Sequence, residues 1–317
     1  MRVTVIIPLY NKAPYVERAL ASVVAQTFVD FEVIVVDDGS TDTSVKIVED
    51  YMDPRVRLVR QRNMGPGAAR NRGIQEAHGD LLAFLDADDE WLPEYLAESV
   101  RLLDESRIRL ASVTSGYIID PGGKSQERAW RRRGLREGVH RVGTHTGPAL
   151  FVSMLAYLTP CTTVARSSVL RRWGGFYDGS HCRYAEDAHL WLKVLLNERV
   201  AITLKPLARV HIDVGSLSHN LPGPHPVEPF LLHPEEIEAA CPPHLRGLLA
   251  RILAIRAFKT ACVLGYWGHW HEAAELVRRF EGPGAWRLPY YVPALVCRTR
   301  IGAALGKISR MIVSARG

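Results

Sequence analysis

The sequence predicts an α/β fold, a Rossmann-like, mostly parallel sheet flanked by helices and followed by a helical extension. Three features lead there. Over the first hundred residues, short β-branched runs alternate with segments of helical period, and strands separated by helices pair in parallel through right-handed crossovers. The strand interiors are almost wholly apolar, as in strands covered on both faces. Their polar residues collect at the C-terminal ends, as Tyr10 and Asn11, Asp37 and Asp38, Asp86 and Asp88. In an open parallel sheet that edge is where ligands bind.

"VTVIIPLY" is the first strand, ended by Pro8. "APYVERALASVVAQ" places Tyr15, Val16, Ala19, Leu20 and Val23 at helical spacing. "FEVIVVDDGS" is a second strand stopped by acidic and turn residues, and "DTSVKIVEDYM" a second amphipathic helix. "VRLVRQ", "GPGAARNRGIQEA" and "DLLAFLDADD" continue as strand, Gly-started helix and strand. Between 105 and 160 the signal weakens: "LASVTSGYII" reads as a strand and "PGGK" as a turn. It sharpens again with "AEDAHLWLKVLLNE" as a helix and "AITLKPLARVHI" as a strand. Pro222, Pro224, Pro226 and Pro229 form a break. The expected division is therefore a domain over 1–220 and a mainly helical region over 221–317, with two helices forming a hairpin around "GYWGHW".

The apolar fraction of 47% and charged fraction of 23% are those of an ordinary globular chain and argue against extensive disorder. The net charge of +6 points mildly to anionic partners, and "RAWRRRGLRE" and the C-terminal "RTRIGAALGKISRMIVSARG" carry much of the excess. Five scattered cysteines without a C-x-x-C pair argue against a disulfide framework or a structural zinc. The apolar run at the N-terminus is too short for a signal peptide, and "ILAIRAFKTACVLGYW" is interrupted by Arg256 and Lys259. The expected location is cytoplasmic, with peripheral contact at the inner face of a membrane left open.

Several motifs go beyond capping and turn chemistry. Ser40, Thr41 and Asp42 suit a turn and a helix start, but two adjacent acids at a strand end do not follow from that. A carboxylate at Asp38 could accept from a ribose hydroxyl or a base N–H. Arg70 and Arg72 lie in the first turns of a helix, against its dipole, where an anionic ligand would favour them. In "DAD", alternate residues of an extended segment face one side, so Asp86 and Asp88 address one ligand while Ala87 stays small. Crowded carboxylates raise one another's pKa unless a cation is present, and magnesium or manganese on a diphosphate needs only one or two of them. Asp89 and Glu90 are expected to start the next helix. Glu186 and Asp187 begin a helix whose end would keep a carboxylate ionised, ready to act as a general base. His211 closes a strand and is a candidate metal or phosphate contact.

Taken together, these segments resemble glycosyltransferase family 2, the inverting nucleotide-sugar transferases of GT-A fold. The likeness runs from "VTVIIPLYNKAPYVERALASVVAQTFVDFEVIVVDDGSTD" through "NMGPGAARNRGIQEAHGDLLAFLDADDEW" to "GGFYDGSHCRYAEDAHLWLKV". The resemblance implies that Pro8 and Tyr10 line a nucleotide pocket with Arg70 beside it, and that Asp38 contacts the base or ribose. It implies that Asp86, Ala87 and Asp88 form the D-x-D element, with Asp88 as the direct ligand of Mn2+ or Mg2+. Asp187 matches the catalytic base, Glu186 lies on the acceptor side, and His211 stands where relatives carry a histidine. The family often reads E-D-x-D-L-W, and here His189 replaces the second Asp, which bears on local hydrogen bonding or the acceptor contact. The implied partners are a nucleoside-diphosphate sugar, a UDP-sugar by expectation, and a glycan or lipid-linked acceptor in polysaccharide or glycoconjugate synthesis. Nucleic acid is not an expected partner, and a homodimer is left open. Two rival readings are a sugar nucleotidyltransferase, whose Gly-rich, Lys-bearing loop "IIPLYNKAPY" lacks, and a non-catalytic nucleotide-sugar-binding protein on the same fold.

Overall fold

A computed structural model describes residues 1–212 and 223–314. The chain divides into two compact units, one of residues 1–145 and 149–219, the other of residues 146–148 and 220–317. The boundary expected near 220 and the first proline of the break, Pro222, lie outside the described residues.

The first unit is a sheet with helices on its faces. Its first half runs β1 (Val3–Leu9), α1 (Val16–Val24), β2 (Phe31–Asp37), α2 (Ser44–Glu49), β3 (Val56–Arg60), α3 (Pro66–Glu76) and β4 (Leu81–Phe84). β1 pairs in parallel with β2 and β4, and β2 with β3. The apolar runs are buried on both faces as their composition requires: Val5, Ile7, Val33, Val35, Leu81 and Ala83 share a core with Val16, Leu20 and Val23 of α1. Each valine, leucine or isoleucine among them contributes about 1.5–3 kcal/mol by leaving water. α3 lies close on the sheet at Gly73, where a Cβ would stand 2.4 Å from Ile6 Cγ2.

Pro8 does not end β1, which continues to Leu9. The Ile6 carbonyl accepts from Leu85 N at 3.1 Å on the β4 side, so residue 8, two positions on, turns its edge the same way. The β1–β4 ladder has stopped by then, at Ile6 opposite Phe84, and the missing N–H of proline interrupts nothing.

The second half adds β5 (Glu90–Trp91), α4 (Tyr95–Glu105), β6 (Ser112–Asp120), β7 (Lys124–Ser125), α5 (Glu127–Arg132), β8 (Gly138–Arg141), α6 (Pro148–Tyr157), β9 (Thr163–Arg166), α7 (Ser167–Arg172), α8 (Glu186–Asn197) and β10 (Arg199–His211). Among the described residues the strand order is β3-β2-β1-β4-β9-β6-β10-β5, with β7 on β6 and β8 on β10. β9 is antiparallel to both β4 and β6, and β6 and β10 are parallel.

In the second unit, α9 (Pro229–Leu232) and α10 (Pro234–Ala240) precede the 22-residue α11 (Arg246–Trp267), then α12 (Trp270–Phe280), α13 (Tyr291–Cys297) and α14 (Arg300–Ser314). Gly268 (φ 97°) closes α11 in the left-handed conformation and turns the chain into α12, the hairpin expected at "GYWGHW". α11 buries Ile252, Ile255 and Phe258, and Arg256 and Thr260 hold the buried Glu228 carboxylate, each at 2.7 Å. Among the described residues no helix is long and apolar enough to cross a membrane.

Candidate active site

The chain passes outward from β1 to β2 and β3, then returns to the other side of β1 with β4. This reversal makes a topological switch point at the C-terminal ends of β1 and β4, the place where open α/β sheets bind ligands. The loops that border it are tied to one another by side chains. Asn11 takes a left-handed φ of 51°, which asparagine tolerates, and its Oδ1 accepts from Thr41 N at 2.8 Å. Ser40 Oγ and Ser44 Oγ accept from the backbone of Asn11 and Lys12 at 3.0 and 2.9 Å. Asp38 is buried, and its carboxylate accepts from Gln61 Nε2 (2.8 Å), Met64 N (2.9 Å) and Gly65 N (2.8 Å). It thereby fixes the loop from β3 into α3. Tyr10 is exposed just past β1, and Pro8 is half-buried within it.

The acidic segment after β4 differs from the extended strand expected. Asp89 N donates to Asp86 O at 3.0 Å, so residues 86–89 form a turn and Asp86 and Asp88 diverge. Asp86 Oδ1 accepts from Arg70 Nη2 at 2.7 Å, and Asp88 Oδ2 meets Lys12 Nζ at 2.5 Å. Ala87 is buried between them. Asp89 and Glu90 do not start a helix. α4 begins only at Tyr95, because Glu90 and Trp91 pair with Arg209 and Ala208 as a short edge strand. Asp89 is buried and accepts from His211 N at 3.0 Å; burial first, then the charges of Asp86 and Asp88, push its carboxyl well above the usual range. His211 Nε2 meets Glu90 Oε1 at 2.8 Å, which sets the imidazole beside this loop. Ligand atoms of Asp86, Asp89 and Cys161 lie within 4.8 Å of one another, and burial and the neighbouring acids push the Cys161 thiol up.

Arg70 answers the question its position raised, but with protein anions. Buried on α3, its guanidinium donates to Asp86 and, through Nη1, to Glu186 Oε1 at 2.7 Å. Burial works against its charge, and the two carboxylates outweigh burial and hold its pKa above the ordinary value. Gly67 permits this approach of α3 to α8: a Cβ there would stand 2.3 Å from Tyr177 O and 3.3 Å from Glu186 Cγ.

Asp187 follows in the first turn of α8, half-buried, with Oδ1 accepting from Ala188 N at 2.8 Å. A helix N-terminus by itself would keep it ionised. Burial, and then the Glu186 charge beside it, outweigh the pull of Arg70 and raise Asp187 from 3.8 to about 7. His189, where the family pattern has an acid, is buried with its ring 5.1 Å from that of Tyr177. The structure thus links Asp86, Arg70, Glu186 and Asp187 into one network and gathers Asp88, Asp89, Glu90 and His211 at the neighbouring loop. Lys12 and Asp89 were not among the residues anticipated, since their partners are 76 and 122 positions distant.

A family model, Glycosyl transferase family 2, matches residues 4–170, which include Asp38, Arg70, Asp86 and Asp88 and end before α8. An uncharacterized glycosyltransferase of Rickettsia felis is 30% identical over 219 residues, covering 68% of this chain and 34% of that protein. Glycosyltransferase GlyA of Streptococcus pneumoniae is 30% identical over 233 residues, 68% of this chain and 31% of GlyA. The matches thus span about a third of these relatives' length. Among solved structures, residues 1–349 of S. aureus TarS, in complex with UDP-GlcNAc, share the fold with a TM-score of 0.74 and 22% identity, over 98% of this chain and 92% of that one. The fold is of GT-A type. The chain belongs to glycosyl transferase family 2.

Proposed function

We propose that this protein moves a sugar from a nucleoside-diphosphate donor, a UDP-sugar, to an acceptor hydroxyl on a glycan or a lipid-linked glycan, by a single displacement with inversion. The observation that carries the reading is Asp187, a carboxylate poised at about 7 and joined through Glu186 and Arg70 to the acidic loop at the sheet's switch point. A general base works best when its pKa lies near the working pH, so Asp187 is suited to take the proton of an attacking hydroxyl. Glu186 serves the acceptor side by raising Asp187, and Arg70 donates to both Glu186 and Asp86 beside it.

The donor binds at this switch point, with Pro8 and Tyr10 lining the nucleotide and Asp38 contacting base or ribose. Asp38 takes one hydrogen bond on Oδ2 and two on Oδ1, which leaves acceptor capacity on Oδ2. The small Ala87 lets the diphosphate approach the turn. The chemistry of the acidic loop fits a hard divalent cation: several carboxylates crowd together, and burial followed by the Asp86 and Asp88 charges pushes the Asp89 carboxyl well above the usual range. Asp88 would be the direct ligand of Mn2+ or Mg2+, taking the ion in place of Lys12, and Asp86 and His211, which border the same turn, would complete the set. Such an ion supplies stabilisation of the charge that builds on the leaving diphosphate. The base and sugar of the donor are open to a screen, since the likeness to TarS supports the fold and not the donor.

Thermal-shift measurements against a panel of nucleotide sugars, with and without manganese, test the donor. A stabilising shift with one class of donor, followed by nucleoside-diphosphate release and an inverted anomeric centre in the product, is expected. Binding without release across acceptors would favour the non-catalytic reading, and no shift with any donor would overturn both.

A further inference from the structure

The last part of the helical unit, from Trp286 to Ile308, exposes several large apolar residues. α14 seats on the unit through glycines: a Cβ on Gly302 would stand 2.3 Å from Val296 O, and one on Gly306 2.2 Å from Tyr266 O. Turned away from these glycines, Ile301, Leu305 and Ile308, at spacings of four and three, are 54–71% exposed. α13 repeats the arrangement, with Ala294 inaccessible and Val292 and Val296 exposed. Trp286 is 65% exposed, and the Arg287 guanidinium lies 4.7 Å over its ring. A surface helix of a water-soluble unit turns this pattern the other way round.

Charge identifies what covers this face. Between Ala285 and Ile308 the chain has four basic residues, Arg287, Arg298, Arg300 and Lys307, and no acid; Arg298 lies 3.7 Å from Glu281, just before this stretch, and Arg287, Arg300 and Lys307 set the sign of the face. A second copy docked symmetrically would set this positive face against itself. An anionic lipid surface instead meets the basic residues with opposite charge and takes up the apolar ones, and tryptophan with arginine suits the headgroup level. We propose that α13 and α14, with Trp286, form a docking face for an anionic lipid surface, lying in the interface and not crossing it.

Sedimentation with phosphatidylcholine vesicles, with and without phosphatidylglycerol, tests this on the full chain. Wild type should bind the anionic vesicles and release them as salt rises. Arg300→Gln with Lys307→Gln should cut partitioning about 30-fold, from roughly 1 kcal/mol per basic residue near an anionic surface. Leu305→Glu with Ile308→Glu should abolish it. All four side chains are exposed, so unchanged thermal midpoints show that the variants are folded. Equal binding to both vesicle types, or none, would overturn the proposal. So would a dimer in sedimentation velocity that Leu305→Glu with Ile308→Glu dissolves, the second-copy outcome. No donor or turnover enters the readout, so this proposal and the glycosyl-transfer reading fail separately.

Discussion

Replacing Asp187 by Asn should stabilise the protein, and by more as the pH rises. The Asp187 carboxyl is raised from 3.8 to about 7 in the folded protein. Between those values the folded chain keeps a proton that the unfolded chain has released. The stability this group contributes is therefore complete in acid and is lost as the pH climbs through 7. Asparagine cannot ionise and escapes the loss. At about 1.4 kcal/mol per pKa unit, a three-unit rise sets a ceiling of about 4 kcal/mol. Arg70, Glu186 and Asp86 share the same network and readjust when one charge is removed, so about 1–3 kcal/mol at pH 8 is the expected gain. At pH 5 it should be well under half of that. The opposing contribution, attraction of an ionised Asp187 to the N-terminus of α8, is only about 0.3–1 kcal/mol, so burial and repulsion decide the sign. Urea midpoints for both proteins at intervals from pH 5 to 8 measure the difference. A gain that is flat with pH, or a variant less stable than wild type at pH 8, would refute this account of the site's electrostatics.

Arg70→Met should destabilise by about 3–5 kcal/mol at pH 7, because it strands Asp86 and Glu186 without their shared cation. Urea denaturation measures it, and a loss under about 1 kcal/mol would speak against Arg70 as the shared partner. Lys12→Met removes the cation held by Asp88, so calorimetric titration with manganese alone should show tighter binding than wild type. Unchanged or weaker binding would speak against a metal at Asp88. Gly67→Ala should lower the thermal midpoint by several degrees and depress transfer, since a Cβ 2.3 Å from Tyr177 O must push α3 away from the segment leading into α8.

The parallel half of the sheet was legible because its strands are buried on both faces and their apolar runs leave few alternatives. α8 was legible for a similar reason, with Leu190, Trp191, Val194 and Leu195 filling its inward side. The short β5 was not, since Glu90 and Trp91 have no strand pattern of their own and pair only because β10 runs past them. The same distance effect hid the partners of the acidic loop. Four acids in five residues signalled a need for positive charge, but the sequence could not show that Arg70 and Lys12 supply part of it from other loops. It also suggested that the end of α8 would keep Asp187 ionised, whereas burial beside Glu186, which only the fold reveals, dominates. The outward apolar face of α13 and α14 lay in a segment read as helical and basic, with acceptor, dimer and membrane-surface roles left open. Which side of a helix faces out depends on the glycines that seat it.

Nucleoside-diphosphate release by wild type and Asp187→Asn, measured with donor affinity on the same samples, tests the central claim most directly. Loss of a general base alone should lower turnover by about 10²–10⁴-fold and leave donor affinity within a few-fold. An Asp187→Asn protein that keeps more than a few per cent of wild-type turnover would contradict the assignment of Asp187 as the base.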